Sequence, residues 1–408
     1  MALRVNKKRQ FLFVSKLIAK HLAVHPSIAL GTGTLLASLL MENSGLPPHP
    51  QVKKIVRLIE TGMADQETTL ASLAYKSELP KKTVFIGMAE TATGLGHSVF
   101  QHFEKAAYIH TTREEIVGIV PSFVFEEEHS HATSHKVFAP EGMLENAETI
   151  VLIDDELSTG NTLFNLVSAL DDQFPGKNYK SLSILDWRSE EQKKKLVHLE
   201  EQRNIQIDVL SLMSGEFELI RSAAPEEAEL SELTGESRVK MSQLADLEVI
   251  PHQSASGQRY HPLTGRFGLS SEEHEEIGRW AQQAANSVKD SGKIKRPLVI
   301  GIGENMYLPL RFGLSVHENA LVQTTTRSPI YAAKAEGYPI AEKVKFKLPD
   351  AIGVDQFLYN LNDQDVDHIY LLSESVVDPA DWQPLIAYLE KKAPVEWISM
   401  TAAKGERE

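Results

Sequence analysis

Residues 150–163 read IVLIDDELSTGNTL, a strand–loop–helix pattern from which the rest of the chain can be interpreted. Four aliphatic residues, three of them β-branched, predict a strand that is buried on both faces of a parallel sheet. Two carboxylates, Asp154 and Asp155, follow at the end of that strand. A short loop of small hydroxylated residues and glycine comes next, and the apolar periodicity of residues 163–170 predicts a helix after it.

These parts together predict a site for a phosphorylated sugar. Ligands of open parallel sheets bind outside the carboxyl ends of the strands. Backbone N–H groups at a helix N-terminus, with the hydroxyls of Ser158, Thr159 and Thr162 beside them, suit a phosphate. Adjacent carboxylates in the same crevice suit sugar hydroxyls or a magnesium ion. An ordinary capped helix would explain one hydroxyl residue, but not two acids at the end of a buried strand.

The same run resembles the phosphoribosyl-diphosphate (PRPP) motif of type I phosphoribosyltransferases: an aliphatic strand, two acids, two variable residues and Ser/Thr-Thr-Gly-x-Thr. The resemblance implies that Asp154 and Asp155 hold the ribose hydroxyls and contribute, directly or through water, to a Mg2+ site. Glu156 departs from the motif, because most members carry an aliphatic residue there. Its extra negative charge favours either a bound metal or a side chain that points away. The resemblance also implies that the 5′-phosphate is wrapped by Ser158, Thr159, Gly160, Asn161 and Thr162.

Composition limits the class of protein. A length of 408 residues predicts two or three domains, and 42% hydrophobic with 24% charged residues is typical of a soluble globular protein. Because the chain has no cysteine, disulfides and thiolate metal sites are excluded. No segment approaches the roughly 20 apolar residues of a membrane helix, and a net charge of −14 argues against broad nucleic-acid binding. We therefore expect a cytoplasmic protein with no membrane or nucleic-acid partner.

Residues 83–87 predict a second buried strand, which runs into a turn of small residues and a helix from about His97 to Lys105. Small residues and glycine between a strand and a helix let the backbone approach a ligand closely. A tight turn without a ligand is the alternative. The alternation of strands and helices over residues 83–212 predicts a parallel sheet with right-handed crossovers. The resemblance implies that the turn binds the pyrophosphate of PRPP, through Glu90, Thr91, Ala92, Thr93 and Gly94.

Arg113 ends the next predicted strand, residues 106–113. Because arginine pairs phosphate oxygens bidentately, Arg113 is a candidate pyrophosphate or product-phosphate ligand. A surface ion pair with Glu114 or Glu115 is the alternative.

A histidine-rich segment, residues 125–135, separates that strand from the PRPP motif. Type I members carry at this place a mobile loop that closes over the reacting centre. The resemblance implies that His129 and His131 supply protons or charge at the leaving pyrophosphate. A metal site that includes His135 and a solvated polar loop are the alternatives.

Two other features have more than one interpretation. Residues 31–34, GTGT, predict a helix with a close-packed glycine, or a small phosphate loop that lacks the P-loop lysine. Trp187, which follows the predicted strand 180–186, either stacks on a base or packs half-buried against the protein.

The chain contains an internal repeat. Residues 84–90, VFIGMAE, recur as LVIGIGE at 298–304, and residues 107–113, AYIHTTR, recur as LVQTTTR at 321–327. Both separations are 214 positions, which predicts a tandem repeat of one fold. Residues 368–375 keep the third strand but lack both aspartates and the phosphate loop, so this copy is expected not to bind PRPP in the same way. The candidate residues of the second-copy motif are Gly301, Gly303, Glu304, Thr326, Arg327 and Ser328.

Residues 326–329 read TRSP and match the motif that names the TRSP domain. This domain follows an orotate-phosphoribosyltransferase-like domain in proteins of bacterial tellurium-resistance gene clusters. Residues 259–269 also resemble the Gly-Arg-containing lead-in of some phosphoribosyltransferase cores. We therefore expect an α/β fold of tandem phosphoribosyltransferase-like parallel-sheet domains, with helices on both faces and a degenerate second copy. The expected division is an N-terminal hood (1–80), a catalytic domain (81–220), an acidic linker (221–257) and a TRSP domain (258–408).

The resemblance implies a magnesium-dependent transferase that displaces pyrophosphate from PRPP with a base-like nitrogen nucleophile, or the reverse reaction on a nucleotide. A catalytically weak PRPP- or nucleotide-binding regulatory module is the alternative. PRPP synthetase also joins two such folds, but its intact loop lies in the second copy. No motif identifies the accepting base. Homodimerisation is common in the family, and the second copy is an alternative source of that interface.

Overall fold

Two β-sheets, the first mostly parallel and the second wholly parallel, organise the computed structural model. The structure describes residues 1–4, 11–126, 134–217, 227–228, 230, 233–243, 247, 249–288, 292–348 and 354–401. Within these ranges the α-helices are α1 Pro26–Asn43, α2 Val52–Thr61, α3 Gln66–Leu73, α4 Ala92–Phe100, α5 Asn161–Gln173, α6 Glu190–Arg203, α7 Ser271–Val288, α8 Tyr307–Val316 and α9 Gln383–Glu390.

The strands are short and, as the aliphatic runs predicted, the central ones are buried. They are β1 Ala2–Leu3, β2 Phe11–Leu12, β3 Ser77–Glu78, β4 Thr83–Gly87, β5 Phe103–Glu104, β6 Ala107–His110, β7 Ile116–Val117, β8 Phe123–Glu126, β9 Ser134–Val137, β10 Thr149–Ile153, β11 Glu156–Leu157, β12 Asn178–Asp186, β13 Gln206–Ser214, β14 Met241–Gln243, β15 Gln253–Ser254, β16 Leu269–Ser270, β17 Pro297–Gly301, β18 Leu321–Thr324, β19 Lys343–Lys347, β20 Asp355–Tyr359, β21 His368–Ser373 and β22 Val395–Ser399.

In the first sheet, β10 lies between β4 and β12, and all three strands are parallel. The sheet continues from β4 through parallel β6 to antiparallel β16, while β12 also pairs with β11 and β13. Ile153, the last residue of β10, is level with Gly87, the last residue of β4. The turn after β4 and the acids after β10 therefore leave the sheet at the same edge.

The second sheet has the strand order β14–β22–β21–β17–β18, and all of these strands are parallel. Strand β17 lies between β21 and β18, just as β4 lies between β10 and β6. Gly87 is opposite His110 in the first sheet, and Gly301 is opposite Thr324 in the second. Both residue pairs are 214 positions apart, the separation found in the sequence.

Each sheet receives an edge contact from the segment that precedes a long helix. Val24, just before α1, exchanges two backbone hydrogen bonds with Val322 of the second sheet (3.0 and 2.8 Å). Leu269 in β16, just before α7, pairs with Tyr108 of the first sheet. The lead-in to α1 therefore reaches the second sheet, and the lead-in to α7 reaches the first.

Residues 31–34 lie within α1, as the helix interpretation predicted. Gly33 packs so closely on α4 that a Cβ atom there would lie 2.4 Å from Ser98 Cβ. Helix α4 itself begins at Ala92, earlier than the predicted start near His97. Its glycines allow close packing of this helix, because a Cβ atom at Gly94 would meet Met306 and one at Gly96 would meet Tyr108.

The predicted acidic linker, 221–257, contains strands as well as connecting chain. Met241–Gln243 form β14, which pairs with β22 at the edge of the second sheet. Gln253–Ser254 form β15, which pairs with β7 beside the first sheet. Edge pairing uses main-chain groups, so it does not need the apolar side chains from which strands were predicted.

The largest apolar core is shared by both halves, since it joins side chains of β4 and β10 to those of β17, β18 and α8. Within the described ranges, no helix combines the length and apolar character that a membrane span requires.

Candidate functional site

A cavity of about 170 Å³ lies at the carboxyl ends of β4 and β10. Its wall combines the acids and hydroxyls of the PRPP-like motif with the turn after β4, the N-terminal segment and the TRSP motif of the second half. The lining residues are Arg4, Leu12, Phe13, Lys20, His21, Met88, Ala89, Glu90, Thr91, Arg113, His135, Asp154, Asp155, Glu156, Ser158, Thr162, Arg327 and Ser328.

Asp154 and Asp155 are fixed at this cavity through their main chains. Asp154 donates its N–H to Leu182 O (3.0 Å), and Asp155 O accepts from Ile184 N (3.1 Å), both in β12. The Asp154 carboxylate also accepts the N–H of Asp155 at 2.9 Å. Both side chains are half-buried. The strand that follows the motif therefore determines where the two acids lie.

Glu156, the departure from the motif, is held by Trp187. The indole Nε1 donates to Glu156 Oε1 at 3.0 Å. Trp187 itself packs against Phe11, Phe13 and Phe217, with ring centroids 6.0, 5.8 and 4.6 Å away. Trp187 therefore packs against the protein, which is one of its two predicted roles. Phe13, which contacts Trp187, lines the cavity.

The hydroxyl-rich loop leads into α5 beside the cavity. Ser158 and Thr162 line the cavity, whereas Thr159 Oγ1 accepts from Asn161 N (3.3 Å) within the loop. Gly160 precedes the first residue of the helix with φ +77°, a left-handed conformation. A Cβ atom there would lie 2.8 Å from Arg188 Cδ. Only glycine gives this loop both its conformation and its close approach to Arg188.

The turn after β4 contacts both the cavity and the second half of the chain. Thr91, a cavity residue, accepts a hydrogen bond from Lys20 Nζ. Thr93 Oγ1 donates to Glu304 O at 3.0 Å, and Gly94 packs against Met306. All five predicted pyrophosphate residues were expected to face the ligand. Only Glu90 and Thr91 line the cavity, because Ala92–Gly94 form the buried start of α4.

Arg113 and His135 join the turn to the β8–β9 hairpin. Arg113 Nε donates to His135 Nε2 (3.3 Å), and His135 Nδ1 lies 2.9 Å from Thr111 Oγ1. Since Nε2 accepts, neutral His135 carries its proton on Nδ1. Thr111 Oγ1 also accepts the N–H of Ala89 at 2.8 Å. His129 and His131 lie outside the described residues.

The two acids after Arg113 have other partners. Glu115 pairs with Lys136 at 2.5 Å, and buried Glu114 accepts a hydrogen bond from Tyr260. Both acids named in the ion-pair alternative for Arg113 thus also have other partners.

Cations and carboxylates face each other across the cavity. The basic side chains are Arg4, Lys20, Arg113 and Arg327, and the acidic ones are Glu90, Asp154, Asp155 and Glu156. Burial, reinforced by the charges of Lys20 and Arg4, lowers the pKa of His21 well below its ordinary value. These four basic residues are gathered at one cavity in a chain whose net charge is −14.

Mg2+ was expected here, and the donors fit it. In the described part of the chain, no group of three or more His, Asp or Glu side chains is arranged to hold a metal ion. Mg2+ commonly binds through one or two carboxylates, water and the phosphates of a ligand. Asp154 and Asp155 provide hard oxygen donors of that kind, beside cations that suit the phosphates.

In the second half, an arginine fills the corresponding position. Leu372 of β21 is level with Gly301, as Ile153 is with Gly87, so Glu374 corresponds to Asp155. Fully buried Arg266 donates from Nη1 to Glu374 Oε2 (2.8 Å) and from Nε to Glu304 Oε2 (3.0 Å). Only about 20 Å³ of cavity remains beside these acids. The guanidinium group therefore neutralises the carboxylates that the second half presents.

Three carboxyl groups surround this single guanidinium, and Glu114 is the most distant, at 3.7 Å from Nη2. Burial raises the pKa of Glu114 to about 7, against the opposing effect of Arg266. Burial would also raise the pKa of Glu304, but Arg266, His110 and Arg327 together hold it at about 2. The environment therefore favours the protonated form of Glu114 and the charged form of Glu304.

Several cavity residues were not predicted. Arg4, Lys20 and His21 come from the N-terminal segment, whose basic residues within an acidic chain were the available signal. Arg327 and Ser328 were singled out for the second copy, but not for the first site.

The chain matches two protein families. The family described as phosphoribosyl transferase matches residues 1–216, and the family described as the TRSP domain, C-terminal to PRTase_2, matches residues 263–389. No curated protein matches the chain.

Similar solved structures include adenine phosphoribosyltransferases from Trypanosoma brucei (18% identity, TM-score 0.25) and Leishmania donovani (16%, 0.23). These matches cover 32% and 40% of this chain, and 56% and 65% of the respective relatives, less than two thirds of either. The enzyme from Giardia lamblia, complexed with 9-deazaadenine, matches at 16% identity and TM-score 0.24, over 40% of this chain and 86% of its own.

Proposed function

The chain belongs to the phosphoribosyl transferase family, with a TRSP domain C-terminal to the matched region, and on that premise we propose a Mg2+-dependent reaction of PRPP at the cavity described above. In this reaction a base-like nitrogen nucleophile displaces pyrophosphate from the anomeric carbon, or the reverse reaction takes place on a nucleotide. The observation that carries the proposal is the convergence of two adjacent acids, a hydroxyl-lined helix N-terminus and four cations on one cavity.

The chemistry assigns a role to each part of the cavity. Displacement at an anomeric carbon develops positive charge on the ribose ring and negative charge on the leaving pyrophosphate. Asp154 and Asp155 would hold the ribose hydroxyls and orient the ring. Ser158, Thr162 and the N-terminus of α5 would bind the 5′-phosphate. Arg113, Lys20 and the N–H groups near Glu90 and Thr91 would bind the pyrophosphate.

A bound Mg2+ would supply electrostatic stabilisation of the negative charge on the leaving group. Asp154 and Asp155 would hold it, directly or through water. The protein residues perform the remaining tasks: they orient the sugar, neutralise phosphate charge and exclude water.

The remaining predictions from sequence belong to the same proposal. We divide the chain into a hood (1–80), a transferase domain (81–220), a linker (221–257) and a TRSP domain (258–408). We propose that residues 295–400 descend from the same ancestral unit as residues 80–190. The shared neighbours of β4 and β17 support this origin. A cytoplasmic location and a role in tellurium-resistance gene clusters are retained as proposals from the sequence resemblance.

Pyrophosphate release tests the proposal directly. The protein is incubated with PRPP, MgCl2 and a panel of purine, pyrimidine and pyridine bases, and PRPP binding is measured separately by calorimetry. Asp154→Asn and Asp155→Asn should each reduce turnover and weaken PRPP binding. Asp172→Asn, an exposed aspartate paired with Arg203, is the matched control and should leave both unchanged.

Two outcomes separate the alternatives. PRPP binding that depends on Asp155, without turnover for any base, would replace the enzyme with a PRPP-binding regulatory module. Absence of PRPP binding in the wild-type protein would overturn both.

A further inference from the structure

We propose that the second half of the chain completes this site, with Arg327 of the TRSP motif binding the pyrophosphate group together with Arg113. Ser328 would leave room for that group. This inference rests on the proposed function and adds a named residue from outside the matched transferase region, 1–216.

Arg327 and Ser328 both line the cavity that contains Asp154, Asp155 and Arg113. The Arg327 side chain is 12% exposed, so it is largely removed from solvent. Arg113 and Arg327, which come from opposite halves, therefore line the same small space. Arg327 Nη2 also lies 3.8 Å from Glu114 Oε1, so the charge of Arg327 is shared between that acid and the proposed ligand. A diphosphate group, with several anionic oxygens, is the kind of ligand that two arginines bind well.

The main chain around Arg327 is held at the cavity by Glu90. Glu90 Oε2 accepts from Thr326 Oγ1 (2.9 Å) and from Arg327 N (3.2 Å). Thr326 also exchanges two backbone hydrogen bonds with Phe357 of β20 (3.0 and 2.8 Å). The residue that carries the guanidinium is thus fixed both by the first half and by its own half.

The first half presents Arg113 in the same way. Glu304 Oε2 accepts from Thr112 Oγ1 (2.8 Å), and Glu304 Oε1 accepts from Arg113 N (3.3 Å). Glu304, Thr112 and Arg113 are each 214 positions from their counterparts Glu90, Thr326 and Arg327. Arg113 and Arg327 therefore occupy equivalent positions on the two sides of one contact. The predicted ligand role of Arg113 extends to Arg327 on this ground.

The next residue distinguishes the two sides. Glu114 and Ser328 are counterparts, and each N–H donates to the preceding threonine Oγ1 at 3.1 Å. Glu114 comes from the first half and contributes a carboxyl group to the cluster around Arg266 of the second half. Ser328 comes from the second half and lies at the cavity of the first. Because Ser328 is small and uncharged, it leaves that cavity accessible to an anion. A carboxylate at position 328 would repel that anion.

The test compares binding of PRPP with MgCl2, and of inorganic pyrophosphate with MgCl2, to full-length variants by calorimetry. Arg327→Gln should weaken both ligands roughly 10- to 100-fold, as expected for losing a charge-assisted contact. Arg327→Lys should restore part of the affinity. Ser328→Glu should weaken both ligands at least as much. Arg296→Gln, an exposed residue of the same half, is the control.

Thermal unfolding of each variant shows whether the variant is folded. If Arg327→Gln is unstable, Arg327→Lys, which keeps the positive charge, provides the comparison with the wild type. Unchanged affinity of folded Arg327→Gln for both ligands would overturn the inference, even if the wild type turns over PRPP. Loss of pyrophosphate binding in Arg327→Gln would support it, even if no accepting base is found. A wild-type protein that binds neither ligand would overturn it together with the proposed function.

Discussion

The hydroxyl of Tyr260 donates a hydrogen bond to the carboxyl group of Glu114 inside the molecule, where both side chains are almost fully buried. Glu114 lies 3.7 Å from Arg266 and 3.8 Å from Arg327, whereas Glu304 and Glu374 lie 3.0 and 2.8 Å from Arg266. Burial raises the pKa of Glu114 to about 7, against the opposing charges of these two arginines.

Glu114 should make the stability of the protein depend on pH. Because its folded-state pKa lies above its ordinary value of 4.5, the folded chain keeps a proton that the unfolded chain releases. Its contribution to stability is therefore fully present below about pH 4.5 and is lost as pH rises through about 7. Glu114→Gln should remove this pH dependence. Its free energy of unfolding, relative to that of the wild type, should therefore rise by about 1–3 kcal/mol between pH 5 and pH 8. Urea denaturation of the wild type and the variant at pH 5 and pH 8 measures the free energy of unfolding. If that free energy changes equally with pH in both proteins, the prediction is wrong.

Arg266 should be the most costly single charge to remove. Arg266→Met leaves Glu304 and Glu374 buried without their cation, which typically costs about 3–5 kcal/mol. Arg279→Met, at an exposed arginine on α7, should change stability by no more than about 0.5 kcal/mol. The free energy of unfolding in urea measures both. If Arg266→Met is as stable as the control, the cluster does not depend on this guanidinium.

Gly160→Ala should damage the phosphate loop. The left-handed conformation costs a non-glycine residue about 1–2 kcal/mol, and the new methyl group would meet Arg188. Gly176→Ala has a similar φ of +80° but open space around the Cβ, so it supplies the backbone penalty alone. We expect both variants to lose stability and only Gly160→Ala to lose PRPP affinity. Calorimetry and thermal unfolding of the pair separate the two effects, and equal affinities would exclude a role for the loop.

Glu156→Gln tests whether Glu156 binds the metal, one of the two alternatives that the sequence left open, or only adds negative charge near the ligand. Glutamine can still accept from Trp187 Nε1 but carries no charge. If Glu156 only repels the ligand, the variant should bind PRPP roughly 2- to 5-fold more tightly at low salt, and less so at high salt. Weaker binding in the presence of Mg2+ would instead assign Glu156 to the metal.

Local sequence patterns were sufficient to predict the strands β4 and β10 and the position of Asp154 and Asp155 at the end of β10. Thr83–Gly87 and Thr149–Ile153 are buried strands because their apolar residues leave no solvated face. The 214-residue separation could be recognised in the sequence because each of the matched segments is a short continuous run of residues. The arrangement of strands around β17 then agrees with it.

Long-range partners account for what the sequence left out. Residues 91–96 resemble a loop until Met306 and Tyr108 are packed against their glycines. Arg266 lies 38 positions from Glu304 and 108 from Glu374, and no spacing rule links residues so far apart. The contribution of Arg327 to the cavity was missed for the same reason, since it depends on how the two halves dock.

The arginine buried against Glu304 and Glu374 also bears on how the two halves have been able to change. In an assembly of identical subunits, every substitution alters all copies of a site at once, so no copy can lose its ligand while another keeps it. Here the two halves belong to one chain and their residues are encoded separately, so selection can act on each half alone. Asp154 and Asp155 line a cavity, whereas Glu304 and Glu374 are buried against Arg266.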